Sequence, residues 1–317
     1  MLLATLLLAT APAPRPLDTV WRQVGPNPKA QQFSDLPIPG HHRPRSSDPL
    51  TPVQPDGARP DRAPAPARHD RLADCLNIGR DNPAMAVSLA EHWLAETKVP
   101  SEHVRADQCL GMMLTQQNDF TGAMGAFADA VSQIPASQAV GAVPLMAMAG
   151  NAALGAGKPQ DALTWLDRAL AVPGFADNPA RAAMLNDRAR ALVALGRTAD
   201  AATALGQAHT LAPDNAESWL LSATLARRDK NLTQAQHDIE TAARLDPRNP
   251  AIGVEAGVIA ELGQREDAAR QSWQSVVAMA PDSDEAQVAR GYLEQIGAAP
   301  TSASSAPKKA QAEAITR

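Results

Sequence analysis

A pattern of small and large apolar positions recurs every 34 residues between residues 182 and 281. Small residues let two antiparallel helices approach closely, and a proline ends a helix because it lacks the N–H that the helix needs. The pattern predicts three helix-turn-helix units, with the large residue filling the space between a unit and its neighbour. Its five columns are Ala189, Ala223 and Gly257; Ala201, Ala235 and Ala269; Leu205, Ile239 and Trp273; Ala208, Ala242 and Val276; and Pro213, Pro247 and Pro281.

The same pattern continues toward the N-terminus with a spacing of 39 residues. We expect the five extra residues of each spacing in longer helices or in loops near residues 135–143 and 173–179, at one edge of the array. A first, degenerate unit begins near residue 70, and Asn82-Pro83 opens its second helix. The columns of the second and third units are Gly111, Ala123, Phe127, Ala130 and Pro135, then Gly150, Ala162, Leu166 and Ala169.

An amphipathic helix is predicted after the last proline, over residues 282–296. Its apolar face would cover the last unit, which would otherwise expose an apolar surface, and Gly297 would end it. Residues 298–317 are rich in Ser, Ala and Lys, and we expect a disordered tail there.

The period, the order of small and large residues and the terminal proline resemble the tetratricopeptide repeat family. The resemblance implies an all-α, right-handed superhelical solenoid of about six helix pairs over residues 68–297, with the C-terminal helix as a cap. It also implies that the first helix of each repeat lines a concave groove that binds extended or helical peptide.

Transferring the family's groove columns predicts a polar groove with Arg190 as its central, exposed cation and an apolar C-terminal end. Some family members hold a C-terminal carboxylate with Lys, Arg and Asn; this chain has Asn151, Asn186 and Arg190 in the groove but lacks the lysines. The predicted groove residues are Gln108, Ala147, Asn186, Leu220 and Val254, and one turn further on Met112, Asn151, Arg190, Thr224 and Val258.

The N-terminal part of the chain has a different composition. Residues 1–13 have an apolar stretch followed by small residues, which predicts a secretory signal peptide and export to the periplasm. The alternative is an apolar stub on a cytoplasmic protein. Residues 14–67 are rich in proline and poor in large apolar residues, which predicts a disordered linker. Its two aromatic residues, Trp21 and Phe33, either dock on the repeats or a partner, or are inert.

Cys75 and Cys109 are the only cysteines, and both fall on predicted first helices of adjacent repeats. Such helices lie side by side, so an oxidising compartment would favour a disulfide between them. Two buried thiols are the alternative.

The composition indicates binding rather than catalysis. Aromatic residues make up 3% of the chain and the net charge is −5, so neither a sheet nor a nucleic-acid surface is expected. Catalytic and metal-binding motifs are absent from the sequence, and acidic residues are expected on exposed faces and at helix caps. We therefore predict a non-enzymatic scaffold or assembly adaptor without cofactor or metal, which binds a protein or peptide. A cytosolic co-chaperone-like adaptor and a self-associating structural array remain the alternatives.

Overall fold

The computed structural model describes residues 70–297, and this part of the chain is an all-α repeat fold. The predicted signal peptide, linker and tail lie outside the described residues. Six helix pairs are followed by one further helix, and each helix of this region is too short or too polar to cross a membrane. The helices are α1 Arg71–Asp81, α2 Pro83–Glu96, α3 Pro100–Gln116, α4 Phe120–Ser132, α5 Ala139–Gly155, α6 Pro159–Leu170, α7 Asn178–Ala194, α8 Thr198–Leu211, α9 Ala216–Arg228, α10 Leu232–Leu245, α11 Pro250–Leu262, α12 Glu266–Met279 and α13 Asp284–Ile296.

Polar side chains begin many of these helices by accepting a hydrogen bond from a free N–H of the first turn. Asn82 caps α2 through the N–H of Met85, with Pro83 in the first turn, as predicted. Ser283 caps α13 in the same way through the N–H of Ala286. These capping residues therefore mark helix starts in the sequence itself.

The two helices of a repeat meet where a small residue of the first faces a large residue of the second. A β-carbon added to Gly257 would lie 2.2 Å from Nε1 of Trp273, and one added to Gly111 would lie 2.6 Å from Phe127. Gly150 faces Leu166 in the same way. The four apolar columns are therefore confirmed as buried positions, whereas the prolines of the fifth column are exposed. The large residue packs against the small residue of its own repeat, where the glycine leaves space, and Trp273 also contacts Tyr292 of the next helix, on the neighbouring side as expected.

The turn between the two helices of a repeat keeps one backbone conformation. It contains a residue with φ near +60 to +74° in each of five successive repeats, and only two of these five are glycine. These residues are Asn118, Gly157, Gly196, Lys230 and Gln264. Their spacing of 39, 39, 34 and 34 residues matches that of the apolar columns. The register predicted for the second and third repeats is therefore confirmed.

The longer spacing of the early repeats has two sources. The first helices α3, α5 and α7 have 17 residues each, whereas α9 and α11 have 13. Longer loops also precede α5 and α7, and the first of them contains a short 3-10 turn at Ala136–Gln138. The extra residues therefore lie in both predicted places, in longer helices and in the loops between repeats.

The described residues form two compact units that divide within α9, after Leu225. In the first unit, α4, α5 and α6 contribute to one apolar cluster, which includes Phe127 and Leu166, and α7 and α8 to a second. In the second unit, α13 covers α12: Tyr292 stacks on Trp273 with ring centroids 4.8 Å apart. The predicted capping role of the last helix is therefore fulfilled within that unit.

A disulfide joins Cys75 of α1 to Cys109 of α3. The two Cα atoms are 6.4 Å apart, and both side chains are fully buried against Ala86, Ala90 and Met113. The bond links the first helices of two neighbouring repeats, as predicted. It therefore anchors the most degenerate repeat to the next one.

We expect Gly257→Ala to destabilise the fold, because its methyl group would overlap Trp273, whose Nε1 donates to the carbonyl of Val254 at 3.1 Å. Overpacking of this kind costs about 1–3 kcal/mol. Gly291→Ala is the matched control: nothing lies within 4 Å of its added carbon, and alanine favours a helix by about 1 kcal/mol over glycine. Urea unfolding should show opposite signs for the two variants, and equal signs would contradict the contact.

We expect no free thiol in the native protein when it is purified from its own cells and denatured without reductant. The disulfide closes a loop that would contribute about 4 kcal/mol of stability on the chain-entropy model. A thiol titration measures this directly, and reduction before denaturation provides the positive control with two reactive thiols. Two free thiols in the unreduced sample would overturn the disulfide and weaken the export prediction.

Candidate functional site

The predicted groove residues lie on one face of each first helix. On α3, α5 and α7 this face repeats with a spacing of three, four and three residues, which keeps side chains on one side of a helix. We call this surface the facing stripe. Its members are Arg105, Gln108, Met112 and Thr115 on α3, Pro144, Ala147, Asn151 and Leu154 on α5, and Ala183, Asn186, Arg190 and Val193 on α7.

The middle of the facing stripe is buried. Gln108, Ala147, Asn151, Asn186 and Arg190 are all buried, while Met112 is half-buried and packs against two apolar clusters. The expectation that Arg190 is an exposed cation is therefore wrong. Arg190 lies beneath the surface because neighbouring first helices pack against each other along the middle of this face.

The predicted apolar end of the groove is also buried. Val254 and Val258 of α11 belong to the core cluster that α12 and α13 complete in the second unit. Leu220 and Thr224 of α9 are buried in the first unit, where the Thr224 hydroxyl donates to the carbonyl of Leu220 at 2.9 Å. These four residues stabilise the repeats, and their predicted role as an exposed binding surface is wrong.

A buried polar network connects α5, α7 and α9. The Arg190 guanidinium donates to Asp187 Oδ1 at 2.6 Å and to Glu217 Oε1 at 2.5 Å. Asp187 Oδ2 accepts a further hydrogen bond from the Asn151 amide at 3.1 Å. Because two carboxylates share it, Arg190 is not available to hold the carboxylate of a ligand.

Asn186 forms a second link between α7 and α9. Its side-chain oxygen accepts a hydrogen bond from the Ser218 hydroxyl at 2.9 Å, and both side chains are fully buried. Its amide nitrogen has no partner among the described residues. An unpaired buried donor costs free energy, so this link favours a defined pairing of the two helices over maximal stability.

Burial raises the pKa of Asp187 from 3.8 to about 6. The charge of Arg190 opposes this rise, and the charge of Glu217 adds to it. Since the folded pKa is raised, the contribution of Asp187 to stability is fully present below pH 4 and is lost as the pH rises toward 6. Arg190 therefore lowers the free-energy cost of burying the charged form of this carboxyl.

Sequence reasoning missed Asp187 and Glu217. It assigned acidic residues to exposed faces and caps, whereas Asp187 of α7 and Glu255 of α11 are buried. The spacing of Asp187 and Arg190, three residues apart on one helix, was a usable signal for an ion pair. No local signal identifies Glu217, because it lies in the next repeat.

The second unit contains an ion pair of the same kind. Arg227, at the end of α9, donates to Glu255 of α11 at 2.6 Å, and the Glu255 side chain is 0% exposed. Burial raises the pKa of the nearby Tyr292 hydroxyl, an effect that the charge of Arg227 opposes. This pair is enclosed by protein and offers no surface to a ligand.

The accessible part of the facing stripe is small and mostly apolar. Pro144 and Leu154 lie at the two ends of the α5 stripe, and Ala183 and Val193 lie at the ends of the α7 stripe, all half-buried. α5 itself carries a single polar side chain, Asn151, which the network uses. The surface therefore suits an apolar segment better than a charged one. Among the described residues, no group of three side chains could hold a metal ion.

These features define a helical repeat protein built from successive antiparallel helix pairs. A family model described as tetratricopeptide repeat matches residues 147–216 and 220–284. Residues 147–284 of this chain thus contain tetratricopeptide repeats. No curated protein sequence matches it.

Several solved structures share the fold at low sequence identity. PilF of Pseudomonas aeruginosa is 15% identical, with 70% of this chain and 96% of that chain covered and a TM-score of 0.53. PilW, described as a widely conserved type IV pilus biogenesis factor, is 16% identical, with 68% and 95% covered and a TM-score of 0.55. A tetratricopeptide repeat protein of Parabacteroides merdae is 13% identical, with 71% and 86% covered and a TM-score of 0.56.

We expect Arg190→Ala to destabilise the fold by about 3–5 kcal/mol, because it leaves buried carboxylates without their counter-ion. Arg188→Ala is the control on the same helix: its ion pair with Asp167 is partly exposed to solvent, so the loss should stay below about 1 kcal/mol. Thermal and urea unfolding measure both.

The destabilisation by Arg190→Ala should be smaller at pH 4.5 than at pH 7.5. Protonation neutralises Asp187 at the lower pH, and a neutral carboxyl costs less to bury without its partner. A pH-independent difference, or a nearly neutral Arg190→Ala, would contradict the network.

Proposed function

We propose that this protein is a non-enzymatic scaffold or assembly adaptor that binds an apolar segment of a partner protein. The binding surface is the facing stripe of α5 and α7 in the first unit, continued on α3 by Met112. The observation that supports this most concerns the stripe on α5 and α7: the Asn151 and Arg190 side chains are bound within the protein, and the partly exposed side chains are apolar.

A surface of this kind recognises shape and apolar contact. The buried network holds α5, α7 and α9 in place, so the stripe is ordered before a partner arrives, which lowers the entropic cost of binding. Met112 adds a flexible, polarisable side chain that adapts to different partners. This replaces the expectation of a carboxylate held by Asn186 and Arg190.

We place this scaffold in the cell envelope, in the periplasm. The apolar N-terminal stretch followed by small residues supports export, and the disulfide supports an oxidising compartment. A cytosolic adaptor is the alternative, and it would keep Cys75 and Cys109 reduced. Self-association is a further alternative, which would appear as a concentration-dependent mass of the purified protein.

We expect Ala183→Glu to abolish partner recovery in affinity capture from native cells. The substitution puts a charge on the apolar surface, at the end of its α7 part, and a buried unpaired charge opposes association. Ala199→Glu is the matched control, because Ala199 is exposed on α8, the second helix of the same repeat. Both variants should unfold at a temperature close to that of the wild type. Equal recovery of the same partners with both variants would remove the stripe from consideration.

A further inference from the structure

The chain before Asp70 joins the folded region at one end of the facing stripe. Asp70, the residue that caps α1, forms an ion pair with Arg105, and Arg105 is the first member of the stripe on α3. The segment of residues 14–69, which we call the arm, therefore enters the folded region beside the proposed binding surface. The arm and a partner on the facing stripe would therefore lie close to each other.

The arm and the folded region have opposite charge. Residues 70–297 contain 18 Lys and Arg against 28 Asp and Glu, a formal net charge of −10. The arm contains 8 Lys and Arg against 5 Asp, a net charge of +3. Complementary charge favours encounter between two segments, and here both belong to one chain.

The arm also contains aromatic side chains, which the stripe lacks. Trp21 and Phe33 are its two aromatic residues, and Arg22 follows Trp21 directly. The stripe offers small and apolar side chains at Pro144, Leu154 and Ala183. An aromatic ring is the side chain that gains most from such a surface, because it buries the largest apolar area.

The arm is long enough for Trp21 to reach the facing stripe. On the order of 50 residues separate Trp21 from Asp70, and even the relation for glycine-rich chains, which are more compact than proline-rich ones, gives roughly 40 Å for this length. A tether of this kind provides an effective concentration of about 1 mM, so even a weak contact is well populated. The charge, the aromatic side chains and the length of the arm make it the candidate occupant of the stripe when no partner is bound.

We propose that the arm docks on the facing stripe through Trp21, so that a partner must displace it. This inference rests on the proposed function of the stripe and specifies its regulation. The basic residues of the arm hold it near the acidic repeats, and the Trp21 ring covers the apolar surface around Ala183. A free partner segment then binds only when its affinity exceeds that of the tethered arm.

The test uses the full chain with a cysteine introduced at the stripe. The native cysteines are joined to each other, so a thiol reagent reports on Ala183→Cys alone. Labelling should be slower with the native arm than with Trp21→Ala, by about tenfold if the arm's Kd is a tenth of an effective concentration of about 1 mM. Ala199→Cys on α8 is the control position, and Trp21→Ala should leave its labelling unchanged.

A synthetic peptide of residues 14–40 should restore slow labelling when it is added to the Trp21→Ala, Ala183→Cys protein. The same peptide carrying Trp21→Ala should not. Equal labelling rates of Ala183→Cys with and without Trp21 would overturn the docking of the arm. This readout needs no partner: a rate difference together with unchanged capture by Ala183→Glu would support the arm and reject the partner site, and the reverse pattern would do the opposite.

Discussion

The close contact between a small residue on the first helix of a repeat and a large residue on the second is the constraint on which this structure depends. Gly111 with Phe127, Gly150 with Leu166 and Gly257 with Trp273 leave no space for an added methyl group. The helix pair therefore has one favoured separation. Because interiors pack as densely as crystals, a change of one carbon at these positions is felt directly.

A different set of contacts joins the first helices of successive repeats. Within the first unit, a disulfide joins α1 to α3, the Asn151 amide joins α5 to Asp187 of α7, and Arg190 joins α7 to Glu217 of α9. Within the second unit, Arg227 joins the end of α9 to Glu255 of α11. Apolar contacts thus build each repeat and also join neighbouring repeats, and the covalent and polar links connect the first helices in addition. A buried polar group is costly unless it is paired, so a wrong neighbouring helix that leaves it unpaired is disfavoured.

The sequence predicts the fold well because the repeat period is a local property that is copied. Each column recurs, so an error at one position is corrected by the others, and Gly150 and Ala189 could be assigned from their spacing alone. Helix starts are equally local, since Asn82 and Pro83 contain the whole signal. The exposure of a side chain is different, because it depends on which helix lies opposite. Asn186 and Arg190 have the polarity of surface residues, and only the position of α9 shows that they are buried.

The same distinction explains why the binding surface had to be moved. Transfer of family columns assigns the ligand to the middle of the first-helix face, where polar residues stand. In this chain those polar residues are used to connect repeats, so that the accessible surface shifts to the ends of the stripe, to residues such as Leu154 and Val193. Polarity in a groove indicates ligand binding only where the polar groups are accessible and their charge is not already balanced. Arg190 is buried and its charge is balanced by two carboxylates, and an apolar occupant is what the remaining surface can accept.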